Sequence, residues 1–287
     1  MNRFTVFGEK QLKSAIASNV DMALAEDVGT GDLTASLLPE SEMVSGHLIV
    51  REDAVLCGIP WFNAVMDRIS DRIEIEWLYR ESDWMKADSE VCRFSGPARA
   101  ILTGERTALN FLQLLSGVAT ATREYVQLVE GTRARIYDTR KTVPGLRIAQ
   151  KYAVRVGGGE NQRLALYDAI LIKENHIAAA GGIREALARA AEKKNIPVQI
   201  EVETLVQLQE ALAAGARSIL LDNFTLDDMR EAVRITRNSG TDAVLEASGG
   251  IDRRTIRIIA ETGVDRISIG ELTKHVRATD YSLRLLP

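Results

Sequence analysis

Two adjacent cations, Arg140 and Lys141, follow Asp138 and Thr139 and precede Thr142-Val143-Pro144-Gly145. Arg140 can grip a carboxylate or phosphate through two parallel hydrogen bonds, and Lys141 adds a compact point charge. A solvated basic loop has the same composition. Next comes Gly157-Gly158-Gly159-Glu160-Asn161-Gln162-Arg163, three glycines before an amide and a further arginine. It matches neither the P-loop nor the dinucleotide-binding glycine signature, so alone it reads as a turn. Lys173 ends the apolar run Leu171-Ile172. An unpaired ammonium there is costly, so Lys173 should meet an anion from protein or ligand. His176, three residues on, reads as a structural histidine. Glu201 and Asp222 suit one Mg²⁺, which takes one or two carboxylates together with phosphate oxygens; neighbouring cations alone would also explain such a pair. Ser248-Gly249-Gly250, with a helix expected from Asp252, and Ile269-Gly270-Glu271 suit a phosphate at helix N-termini. No Cys–His or Ser–His–Asp arrangement is evident, so the chemistry implied is electrostatic and positional.

The elements that must position these residues fall into two regimes. The first third predicts a helix over 9–27, a loop over 28–32, and short strands at 46–51, 72–79 and 90–94. Ile73, Ile75 and Trp77 alternate onto one face, and a helix over 60–69 separates two strands. A long helical pattern runs over 98–129 with a break expected near Ser116-Gly117. Thereafter strand and helix alternate. Strands are expected at 134–138, 169–173, 198–203, 218–222, 243–247 and 266–270, and helices at 183–194, 205–214, 226–237 and 253–262. Repeated βα units give a parallel sheet. The chemistry-bearing residues lie at the C-terminal ends of several strands at once, which favours a barrel over an open sheet with one switch point. The room left after the long helix implies fewer than eight units. The expected domains are 1–112, an α/β sandwich onto which a tail at 276–287 packs back, and 113–275, an incomplete α/β barrel.

Composition narrows the function classes. The 287 residues are 46% apolar and 26% charged, ordinary for a folded globular chain. Net charge is −4, yet 133–173 holds nine Lys and Arg against Asp138, Glu160 and Asp168, a segment of +6. That contrast points to a local anion pocket and away from a general nucleic-acid binder. No apolar run approaches the roughly 18 residues of a membrane span, and the first residues lack a signal-peptide core. Cys57 and Cys92 have no metal-type spacing, and reduced thiols in a cytoplasm are expected. Three histidines without HExxH make a histidine-rich zinc site improbable.

Several stretches, in one order, resemble the quinolinate phosphoribosyltransferases, also called nicotinate-nucleotide pyrophosphorylases (carboxylating). They are EDVGTGDLTASLLP (26–39), GERTALNFLQLLSGVAT (104–120), DTRKTVPGLRIAQKYAVRVGGGENQRLALYDAILIKENHI (138–177), EVE (201–203), LLDNF (220–224), EASGGI (246–251) and SIGELTKH (268–275). The resemblance implies an N-terminal α/β sandwich and an incomplete barrel of type II phosphoribosyltransferase type. It implies a Mg²⁺-dependent pentosyltransferase making nicotinate mononucleotide, pyrophosphate and CO₂ from quinolinate and phosphoribosyl pyrophosphate in a homodimer.

By the same resemblance, Arg140, Arg163 and Lys173 hold the quinolinate carboxylates, with Arg106 joining from the partner subunit. Lys141 lies between the two substrates. Glu201 and Asp222 face the ribose hydroxyls and the Mg²⁺-pyrophosphate, and Lys141, Glu201 and Asp222 are the catalytic set. Ser248, Gly249, Gly250, Ile269, Gly270 and Glu271 receive the 5′-phosphate, and Thr139, Gln162 and His275 complete the binding set. The family usually carries histidine where this chain has Gln162, a neutral amide that still donates hydrogen bonds; Gln162→His is expected to change chiefly affinity. Competing readings are a same-fold paralogue with another acceptor, a nicotinate phosphoribosyltransferase and a non-catalytic ligand-binding barrel. Four carboxylate-binding cations favour a diacid over a monoacid, and retention of Glu201 with Asp222 favours an enzyme over a binder.

Overall fold

Alternation builds the first sheet. In β1 (Met43–Val50), Gly46, Leu48 and Val50 are buried while their neighbours face outward. The walk continues through β2 (Ala54–Val55), β3 (Glu74–Trp77), β4 (Trp84–Met85), β5 (Glu90–Pro97), β6 (Arg135–Tyr137), β7 (Ile170–Ile172), β8 (Val198–Val202), β9 (Ser218–Asp222), β10 (Val244–Ser248), β11 (Arg266–Ser268) and β12 (Tyr281–Leu285). This computed structural model describes residues 7–286. The first six residues of the sandwich domain expected at 1–112, and Pro287 of the expected tail, lie outside them.

The chain divides into two units. Of the described residues, the first holds 7–123, 142–158 and 272–286, and the second holds 124–141 and 159–271. In the first unit an antiparallel sheet runs β12-β1-β5-β3. Its register sets Leu48 opposite both Cys92 and Leu283, and Phe94 opposite Gly46 and Ile75. Apolar groups thus share one face, as period-2 geometry requires. Helix Ile59–Ile69 turns Trp61, Phe62, Val65 and Met66 inward, and Phe62 meets Trp77 edge-on at 5.2 Å. β12, which pairs with β1, is a strand the sequence pattern did not predict.

The long helix spans Ala98–Leu128 without the break expected at Ser116-Gly117. Both residues serve packing instead. A Cβ at Gly117 would collide with the backbone carbonyl of Arg277, so glycine there permits close approach. The Ser116 hydroxyl accepts from the Cys57 N–H at 3.0 Å and from Tyr281 Oη at 2.8 Å. The glycine triplet is likewise divided. Gly157 closes the unpredicted helix Arg147–Gly157 and packs against Ala119 and Thr122, and Gly158 follows as its left-handed cap.

The second unit is a six-stranded parallel sheet in the order β6-β11-β10-β9-β8-β7. The first strand in sequence lies beside the last, and the rest follow consecutively. That cyclic order is a barrel's, open between β6 and β7. Along the β6 edge, the 160 segment forms a parallel bridge between Glu160 and Tyr137. The strands lie within two residues of their expected ends and are mostly buried in mid-strand, as two covered faces demand.

One helix differs from expectation where it bears on the site. The last full helix of the unit is Ile256–Ala260 and does not begin at Asp252. The Asp252 carboxylate accepts the N–H groups of Arg254 and Thr255, holding a turn there. Asp and Asn side chains compete with helix in this manner. Helix Glu271–Lys274 is only four residues long. The helix N-terminus expected after 248–250 is thus a turn, and the one at 271 opens only a single short helical turn.

Candidate active site

Six parallel strands point their C-terminal ends the same way, so the side chains there converge. The sheet register places Ser248 opposite Asp222, and Glu246 opposite Leu220, which in turn faces Glu201. Lys173, one residue beyond β7, reaches Glu201, with Nζ 3.0 Å from Oε2. The Glu201 side chain is 10% exposed and the Lys173 side chain 45%, so the carboxylate is enclosed and its cation faces outward. The demand that Lys173 meet an anion is satisfied within the protein. His176 accepts the Lys173 backbone N–H at Nδ1, 3.0 Å away. That is a structural role, since it holds the turn that begins helix Glu174–Ala180.

Arg140 and Arg163 sit near enough to affect one another. Desolvation depresses the Arg163 pKa, the Arg140 charge adds to this, and Asp168 opposes it. Two cations thus stand close together on this face. The loop carrying Arg163 is pinned from both sides. Asp168 accepts the N–H groups of Leu164 at 2.6 Å and Ala165 at 2.9 Å. Asp138, fully buried, accepts Asn161 Nδ2 at 2.6 Å and the Gln162 N–H at 2.8 Å.

Lys141 lies along Gly270, where a Cβ would fall 3.0 Å from its Cδ. The Thr139 hydroxyl accepts the Lys141 N–H at 3.0 Å, and the Ile269 N–H donates to the Tyr137 carbonyl at 2.9 Å. Thr139, Lys141, Ile269 and Gly270 are thus one cluster, with Glu271 next in chain. At Gly249, which has φ +104°, any side chain would collide with Asn223. Asn223 donates its backbone N–H to the Ser248 carbonyl at 3.1 Å and its Nδ2 to Asp222 at 3.0 Å. Gly250 follows, also with positive φ.

Arg106 and His275 belong to the first unit, where both are exposed. Four residues of this face had no role assigned from sequence: Asp138, Gln199, Asn223 and Glu246. The available signals were an acid inside an apolar strand (Glu246), an acid closing one (Asp138), and an asparagine at a strand end (Asn223), a residue type that tolerates the positive φ of +55° found there.

Cations, enclosed carboxylates and glycine loops on one rim define an α/β-barrel enzyme for anionic substrates. Residues 32–116 match the N-terminal domain of quinolinate phosphoribosyl transferase, and residues 118–284 match its C-terminal domain. A nicotinate-nucleotide pyrophosphorylase [carboxylating] of Mycobacterium leprae is 41% identical over 276 residues, 94% of this chain and 97% of the relative. A probable one of Bacillus subtilis is 39% identical over 90% of this chain and 89% of its own length. The solved nicotinate-nucleotide pyrophosphorylase of Francisella tularensis is 44% identical and superposes with a TM-score of 0.94 over 100% of both chains. The chain belongs to the quinolinate phosphoribosyltransferase family.

Proposed function

We propose that this chain is the pentosyltransferase of NAD biosynthesis that joins quinolinate to phosphoribosyl pyrophosphate. The products are nicotinate mononucleotide, pyrophosphate and CO₂. The neighbouring cations Arg140 and Arg163 support a diacid acceptor, since each guanidinium can take one carboxylate. In this reading Arg140, Arg163 and Lys173 hold the two carboxylates of quinolinate, and Gln162 adds a neutral donor. Lys141, laid along Gly270, stands between the substrates. The loops at Ser248-Gly249-Gly250 and Ile269-Gly270-Glu271 take the 5′-phosphate, with Thr139 and His275 in the binding set.

The ring nitrogen displaces pyrophosphate at the anomeric carbon, whose bond to oxygen breaks with its electron pair leaving on pyrophosphate. Glu201 and Asp222 face the ribose and favour the positive charge that develops there. The nitrogen then becomes cationic and draws in the electrons of the adjacent C–CO₂ bond, and the ring carbon takes up a proton. Lys173 holds Glu201 in place meanwhile.

Glu201 and Asp222 also fit Mg²⁺ carried by the substrate. They are two carboxylates on neighbouring strands, and no cluster of three or more metal-binding side chains occurs among the described residues. Such a set suits an ion that keeps water and phosphate oxygens. When bound, it neutralises charge on the departing pyrophosphate.

The active form we propose is a homodimer with Arg106 reaching the partner's site, and its exposure on the long helix supports this. A cytoplasmic setting is supported by two buried free thiols, Cys57 and Cys92. Among the described residues no helix is long and apolar enough to cross a membrane.

The test is a product assay with quinolinate, phosphoribosyl pyrophosphate and Mg²⁺, following nicotinate mononucleotide and CO₂ by mass spectrometry with nicotinate as a parallel acceptor. Mg²⁺-dependent formation of both products from quinolinate alone is expected. Absence of product from a folded protein that binds phosphoribosyl pyrophosphate would disprove the acceptor. Inactive Arg106→Ala and Lys173→Ala chains, when mixed, should recover about a quarter to a half of the sites. No recovery after verified subunit exchange would reject the shared site.

A further inference from the structure

Glu246 has no place in the reaction described above, yet its position is unusual. It lies in the middle of β10 with no solvent exposure. A carboxyl group in an apolar strand is expensive unless its oxygens find donors. Its donors are two carboxamides from other parts of the second unit. Gln162 Nε2, from the segment beside β6, donates to Glu246 Oε2. Gln199 Nε2, on β8, donates to the same oxygen at 2.9 Å. Glu246 Oε1 is buried and has no hydrogen-bond partner among the described residues.

Gln162 is consequently gripped at both ends. Asp138 holds its backbone N–H at 2.8 Å, and Glu246 holds its carboxamide nitrogen. A carboxamide has a donor end and an acceptor end of nearly equal shape. With nitrogen tied to Glu246, the group cannot turn its oxygen toward that carboxyl. The second N–H faces Gln199 Oε1 at 3.5 Å, a long contact that a substrate carboxylate outcompetes. A flipped amide would instead meet that carboxylate with oxygen and repel it.

We infer that Glu246, with Gln199 beside it, is a positioning residue that fixes the donor orientation of Gln162 toward quinolinate and so sets affinity for the acceptor. The inference rests on the placement of Gln162 in the quinolinate site. Glu246→Gln keeps the volume but introduces its own N–H groups, so both orientations of Gln162 become accessible.

The experiment compares wild type, Glu246→Gln, Gln162→Ala and the double variant. It measures KM for each substrate, kcat, and the quinolinate Kd by calorimetry. Glu246→Gln should raise quinolinate KM and Kd about tenfold, with KM for phosphoribosyl pyrophosphate and the melting temperature unchanged. In the Gln162→Ala background it should add nothing, because the group it orients is gone. Additive effects, an equal rise for both substrates, or an unchanged quinolinate KM would each overturn the inference while leaving the reaction intact. A wild type that makes no nicotinate mononucleotide from quinolinate would remove the site reading and this inference with it. Should Glu246→Gln fail to fold, Gln199→Leu removes one donor and leaves the acid. A rise of about threefold in quinolinate KM is then expected, again abolished by Gln162→Ala, and no rise or an additive one overturns the proposal.

Discussion

The two units tie some of their buried polar side chains differently. In the first, Ser116, Gln150 and Glu81 are fastened largely to backbone. Ser116 bonds the N–H and carbonyl of Cys57. Gln150 takes the Val143 N–H at 2.8 Å and donates to the Thr273 carbonyl at 2.9 Å. Glu81 takes the N–H groups of Gly58 and Ile59 through one oxygen. In the second unit three enclosed groups of the charged face pair with other side chains: Glu201 with Lys173, and Gln162 and Gln199 with Glu246. A backbone partner cannot be exchanged without disturbing the fold, whereas a side-chain partner can yield to a ligand. The first pattern holds structure together, and the second sets the side chains of the charged face in position.

Lys173→Ala tests that contrast hardest. It strips a cation from the proposed acceptor site and leaves Glu201 enclosed without its ammonium. kcat/KM for quinolinate is expected to fall on the order of a thousandfold, equivalent to about 4 kcal/mol, while the melting temperature shifts by no more than about 4 °C. Steady-state kinetics beside a melting curve would show it, and a large melting shift with intact kinetics would place the pair with the structural group.

Ser116→Ala should behave in the reverse manner. It leaves the Cys57 N–H and the Tyr281 hydroxyl buried without their partner, at a cost of about 3 kcal/mol. Urea denaturation should register the loss with quinolinate KM unaltered; a changed KM would blur the division.

Glu81 sharpens the first unit's side of the comparison. Burial pushes its carboxyl up to about 7 from an ordinary 4.5, against the lowering effect of the Gly58 and Ile59 N–H groups, the Cys57 thiol and the Tyr152 hydroxyl. The folded protein therefore keeps this proton where the unfolded chain has released it. The stability it supplies is complete below about pH 4.5 and is lost as pH rises through about 7. Glu81→Gln cannot ionise, so its stability relative to wild type should climb by about 2 kcal/mol from pH 5 to pH 8. Denaturant titrations at both pH values that show no difference would refute this. The smallest effect belongs to the exposed Arg234–Glu231 pair on helix Leu226–Asn238. Glu231→Ala should leave both melting temperature and activity within error, as solvent-screened pairs do.

The period-2 face of β3 and the βα alternation after the long helix were legible because each depends on neighbours in sequence. Helix Arg147–Gly157 was not, because it buries Gln150 and Lys151 along with its apolar residues. Polarity there no longer marks the exposed side. At Ser116-Gly117 two helix-weakening residues suggested a break, but their partners at Cys57, Arg277 and Tyr281 keep the helix continuous. Asn223 and Glu246 lay inside recognised motifs, yet their purpose depends on atoms those motifs do not contain.

By itself the sequence determined which strands form the parallel sheet, that cations and carboxylates stand at their C-terminal ends, and which family's motifs they compose. Those follow from local periodicity and residue type. Only the tertiary structure decided that Glu201 answers Lys173, that Gln162 is clamped between Asp138 and Glu246, and that Asn223 fills the space Gly249 leaves. Gln162 and Glu246 are 84 positions apart. They meet because the first barrel strand lies beside the last and the sheet curls its C-terminal ends inward, a closure that no local stretch of chain encodes.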